Sequence, residues 1–158
     1  MKYSIIIVIG AFLLTMGFMP AKKQPAQLLV AISTHWAGGI VGRSGTNYTI
    51  QLNAKAKQQI TIDKIWIKDE GTFALTTEEG KDAFYTVKKE NSSATYTVMV
   101  KTLHNNGTNL PGSEEEKMRD LKNPFAVSGE AVISYTCCKK QYYLPIAGFK
   151  EQGAVHYE

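Results

Sequence analysis

From Leu28 onward, apolar and polar positions alternate with a period of two. The clearest case is residues 46–54, where Tyr48, Ile50, Leu52 and Ala54 share one face and Asn47, Thr49, Gln51 and Asn53 share the other. That pattern predicts an antiparallel strand with one face in a core and one in solvent. Residues 94–100 repeat it through Tyr96, Val98 and Val100, and residues 131–135 through Ala131, Ile133 and Tyr135. Ile60–Ile67 is also a strand, but Ile60 and Ile62 are out of phase with Ile65 and Ile67. The apolar face changes near Lys64, as a bulge or a switch between sheets would produce. Shorter candidates are 28–36, 72–76, 83–88 and 142–146, divided by polar turns at 78–82 and 89–93, which makes about eight strands in all. One helix is expected at 113–122. Pro111-Gly112 breaks the chain before it, Ser113 and Glu116 form a capping-box pair, and Asn123-Pro124 stops it. The acidic residues 114–116 suit a helix N-terminus, and Met118 and Leu121, three apart, could dock it as a surface helix.

Short strands with close-set turns and almost no helix predict an all-β protein, an antiparallel β-sandwich in preference to a small barrel. The Cys, Trp and Cys pattern of immunoglobulin domains is missing, so "immunoglobulin-like" describes architecture only. A chain of 158 residues fits one domain. The first stretch reads as an address. Lys2 precedes an apolar run from Ile5 to Met19, short for a bilayer span, and Ala21 offers a small residue for cleavage. Positions 1–21 are therefore expected to be a signal peptide, 22–27 a linker and 28–158 the β-sandwich domain. The expected destination is periplasm, cell surface or medium, with the membrane involved only in export. No cysteine follows the apolar run to carry a lipid tether.

Charge changes the picture little. Lys and Arg outnumber Asp and Glu by 18 to 14 and are spread along the chain, which predicts mild anion affinity and no nucleic-acid footprint. Gly38-Gly-Ile-Val-Gly-Arg-Ser44 resembles a phosphate loop only superficially, since Ala37 replaces its first glycine, Arg43 its lysine, and a strand follows it. It reads as a connection in which Gly42 and Gly45 permit positive φ or a bulge. No nucleophile elbow or His-Glu-x-x-His helix is present, so no enzyme activity, cofactor or metal is expected. His35, His104 and His156 read as surface residues, and the pairs Asp69-Glu70 and Glu78-Glu79 as solubilising charge at turns. The triplets starting at Asn47, Asn91 and Asn106 fit a glycosylation pattern but are taken as chance.

The only cysteines, Cys137 and Cys138, are adjacent, so no long-range disulfide staples the domain. They are expected at the tip of a hairpin closed by Lys139 and Lys140, both thiols near solvent and both favoured as thiolates. A tolerated surface pair, a strained vicinal disulfide and a metal site completed by a histidine all fit that placement. Aromatic residues are the better lead to a binding surface, because they join apolar area to a polar handle. Tyr142 and Tyr143 must point to opposite faces of their strand, and Trp66 is out of phase with Ile65 and Ile67, which nominates Trp66, Tyr142 and Tyr143.

Trp36-Ala-Gly-Gly39, Gly45-Thr-Asn-Tyr48, Ile65-Trp-Ile67 and Gly129-Glu-Ala-Val-Ile-Ser-Tyr135 together resemble small exported β-sandwich proteins of Bacteroidota. The resemblance spans most of the mature chain and implies compartment and architecture, with no catalytic residue to carry over; Cys137-Cys138 is outside it. The function expected is a non-enzymatic binding or structural module that holds a protein or glycan of the cell envelope. The second reading is a redox- or metal-responsive module acting through Cys137 and Cys138.

Overall fold

The structure is a computed structural model that describes residues 24–38, 43–105 and 122–157. These form β1 (Ala26–Gly38), β2 (Arg43–Lys55), β3 (Ile60–Ile67), β4 (Gly71–Ala74), β5 (Ala83–Glu90), β6 (Ser93–Lys101), the two-residue β7 (His104–Asn105), β8 (Ala131–Cys137), β9 (Lys140–Ile146) and β10 (Lys150–Tyr157). Every strand expected from alternation is present, and β7 and β10 are additional. β1 already includes Ala26 and Gln27, two positions expected in a linker. The leader at 1–21 lies outside the described residues, as does the expected helix except for Lys122, which is not helical.

The strands form two sheets, one ordered β10-β1-β2-β6-β5 with β7 also on β2, the other β4-β3-β8-β9. This is a β-sandwich. Without β7 and β10, the chain order within the sheets is that of immunoglobulin domains, with β4 in the position of the extra strand beside the third. The architecture is thus immunoglobulin-like without the disulfide or its tryptophan. Alternation decides the core: Ile50 and Leu52 of β2, Val98 and Val100 of β6, and Ile133 and Tyr135 of β8 are all buried between the sheets. Each such aliphatic side chain contributes about 1.5–3 kcal/mol relative to exposure.

The phase change in β3 is a bulge. Its register with β8 shifts between Ile62 and Lys64. The extra residue, Asp63, turns Ile60, Ile62, Ile65 and Ile67 all into the core. Asp63 itself accepts from the Thr136 hydroxyl at 3.0 Å.

Two tyrosines clasp the sheets at the end where β1 and β3 begin. The Tyr96 hydroxyl of β6 accepts from the Ile60 N–H at 3.3 Å, and the Tyr135 hydroxyl of β8 accepts from the Ala26 N–H at 3.4 Å. Each phenol fills the core and gives its polar tip to the first buried N–H of a strand in the opposite sheet.

β10 departs from the alternating pattern. After β9, the three residues Ala147, Gly148 and Phe149 carry the chain from one sheet to the other, where β10 pairs in parallel with β1 from Ile32↔Lys150 to Gly38↔Tyr157. Its side chains from Lys150 to His156 are all exposed, so backbone pairing is its main hold on the sheet. Phe149 anchors the crossing by packing edge-on against Tyr48, with ring centroids 4.9 Å apart.

Candidate functional site

The structure does not assemble the aromatic surface expected from sequence. Trp66 shares the outer face of its sheet with Tyr143, in agreement with its phase, but is only 7% exposed. It is therefore a packed residue and not a platform open to solvent. Tyr142 lies on the inner face, stacked on Tyr135 at 5.5 Å. Tyr143 packs against Phe125 at 5.2 Å and donates to Gln141 Oε1 at 3.0 Å. The three residues face two sides of one sheet, and each is engaged by its own neighbours.

The cysteines are at the hairpin tip, as expected, but unequal. Cys137 pairs with Lys140 across the turn, and Cys138 and Lys139 both have positive φ, 52° and 64°. That is the type I′ geometry of a two-residue hairpin. Cys138 is exposed, while Cys137 is 1% exposed and belongs to the core, so the expectation of two solvent-facing thiolates is overturned for Cys137. The last side chain of β8 must point inward with Ala131, Ile133 and Tyr135, because positions two apart share a face. Burial, then the hydrogen bond and charge of Cys138, push the Cys137 thiol up. Among the described residues, no group of three His, Cys, Asp or Glu side chains could hold a metal ion.

A pocket of about 420 Å³ opens at the other end of the sandwich, where β1 ends and β2 begins. Its floor is Glu70, in the turn between β3 and β4, 7% exposed although it was expected to be solubilising charge. One carboxylate oxygen, Oε1, meets the Tyr48 hydroxyl at 3.2 Å, the Thr102 hydroxyl at 3.2 Å and His104 Nε2 at 3.1 Å. With its proton on Nε2, His104 donates to this oxygen. The Thr102 hydroxyl accepts from the Thr46 N–H at 3.1 Å and lies 3.3 Å from the Thr46 carbonyl, so its one proton is shared between that carbonyl and Glu70. Thr46 also meets His35 Nδ1 through its own hydroxyl at 2.9 Å. Burial, together with the adjacent Glu70 charge and the hydrogen bond to it, holds the Tyr48 phenol well above its ordinary value.

Trp36 forms a wall of this pocket and is seated directly on Gly45, its partner across β1 and β2. A Cβ on Gly45 would lie 2.7 Å from the indole and 2.0 Å from the Thr102 carbonyl oxygen. Gly45 is thus needed for close approach and not for the positive φ expected of it. Sequence reasoning passed over this site because its partners are 22 to 34 residues from Glu70. Lys68-Asp-Glu-Gly71 reads locally as a turn, and it is one: Asp69 has φ 65° and is exposed. Only the fold brings Tyr48, Thr102 and His104 onto its next residue.

No family model matches the chain, and comparison with curated proteins and with solved structures yields no match.

Proposed function

We propose that this chain is an exported, non-enzymatic β-sandwich module that binds a glycan of the cell envelope in the Trp36 pocket. The observation that carries the reading is the pairing of an indole wall with a hydrogen-bonded carboxylate floor in one open cavity. A sugar ring offers an apolar C–H face and a rim of hydroxyls, which an aromatic wall and fixed polar groups complement. Ser44, Thr46 and His35 supply further polar groups on the pocket lining. Binding is favoured over turnover because the Tyr48, Thr102 and His104 donors are directed at Glu70. The apolar run ending at Met19 and the resemblance to exported sandwich proteins support the compartment.

The test is calorimetric titration of the mature chain with envelope oligosaccharides, alongside Trp36→Ala and Tyr143→Ala. Trp36→Ala should weaken binding about tenfold, the loss of one stacking contact, while Tyr143→Ala leaves it unchanged. Equal affinity of Trp36→Ala and the parent chain would sink the assignment of this pocket. Intact mass of the exported protein tests the leader, with cleavage near Ala21 expected.

A further inference from the structure

The residue at the hairpin tip is one that turn chemistry does not select. A two-residue type I′ turn requires positive φ at both central positions, which favours Asn and Gly. Cys138 occupies the first of them at φ 52°, exposed and so without core contact to compensate. A residue that breaks a local rule without a packing gain points to a role outside the fold. Beside it, Cys137 places its sulfur in the core, 3.6 Å from the Cys138 sulfur. Lys139 and Lys140 are exposed next to the pair.

From this arrangement we infer that Cys138 and Cys137 form a thiol–disulfide exchange couple, Cys138 the attacking and Cys137 the resolving thiol, serving disulfide partners that carry negative charge. Cys138 gives its proton to water and its thiolate attacks one sulfur of the partner disulfide. A mixed disulfide forms, and the first partner thiolate leaves and is protonated. Cys137 then loses its proton and attacks the Cys138 sulfur, releasing the second partner thiol. Two protein thiols are oxidised and one partner disulfide is reduced to two thiols. The exposed lysines raise the encounter rate with an anionic partner. Adjacent Cα atoms are about 3.8 Å apart, less than the usual disulfide span of about 4.4–6.8 Å, so the closed ring is strained and readily reopened. The couple is a reversible switch, at the opposite end of the sandwich from the Trp36 pocket and independent of what binds there.

The experiment incubates the reduced mature chain with oxidised glutathione and reads intact mass and alkylation after denaturation. The parent chain should lose two hydrogens, retain no glutathione and present neither thiol to iodoacetamide, and dithiothreitol should restore both. Cys137→Ala and Cys137→Val should stop at a glutathione adduct on Cys138, and Cys138→Ser should take up none. Neutral hydroxyethyl disulfide should close the ring at least about tenfold more slowly than glutathione disulfide. Equal rates with the two disulfides would overturn the preference for an anionic partner. A parent chain that keeps glutathione on Cys138 with Cys137 still free, or that does not react, overturns the couple. The parent result decides even if the Cys137 variants fail to fold.

Discussion

At Gly45, two strands, an indole and a carbonyl oxygen converge where no Cβ fits. Gly45→Ala forces the indole or the Thr102 backbone to move and should destabilise by about 1–3 kcal/mol, as overpacking does, measured by urea unfolding. The same variant should disturb the Trp36 wall and weaken ligand binding. Tyr48 makes a second, pH-dependent prediction. Its folded pKa is raised, so its contribution to stability is complete below the ordinary phenol value of about 10 and is lost as pH rises above it. In the unfolded chain the phenol ionises first, and the native state must either hold the proton or place a phenolate against Glu70. Tyr48→Phe should therefore show a shallower fall in stability above about pH 10 than the parent chain. Tyr135 is raised as well by burial, so it is the difference between the two chains that isolates Tyr48. Identical slopes would mean that neither burial nor the Glu70 carboxylate holds the Tyr48 proton.

Strands of the two sheets differ widely in what anchors them. β8 is buried on both faces, with Val132 and Ser134 covered as fully as Ala131, Ile133 and Tyr135. β10 buries none of the side chains from Lys150 to His156 and depends on its pairing with β1. Local opening free energy follows buried contacts, so the strands should separate in hydrogen exchange. Amides of β10 should exchange about two orders of magnitude faster than those of β8, provided global stability is in the ordinary range of about 5–15 kcal/mol. Comparable protection in both would show that β10 unfolds only with the whole domain. A bulge at Asp63 is the other decision made at this scale. It keeps four isoleucines of β3 on one face, where an unbroken strand would have exposed two.

Over the whole molecule, both sheets share one core, and polar ties join them at each end: Tyr96 and Tyr135 at one, Tyr48 and Glu70 at the other. One core with cross-sheet ties should unfold as a single cooperative transition, with coincident near- and far-ultraviolet dichroism curves. β1 pairs with both β2 and the distant β10, and β3 pairs with β8, so native pairing closes long loops before it is rewarded. Refolding is accordingly expected on the millisecond to second scale of sandwich topologies. Two separated melting transitions would contradict the shared core.

Period-two alternation determined the strands at 46–54, 60–67, 94–100 and 131–135, their inward faces and the break near Lys64, because side-chain direction in a strand is a local property of the backbone, while polar turns marked off the four shorter strands. The hairpin at Cys137–Lys140 was legible for the same reason, since strand, turn and strand are contiguous. Depth was not legible. Whether Trp66 is open or covered, which of two adjacent cysteines enters the core, and whether Glu70 solubilises or anchors depend on segments far along the chain. β10 was invisible because exposed side chains leave no alternation, and its partner lies more than a hundred positions away. Local pattern sets direction, while burial and polar partnership are set by what the fold lays on top.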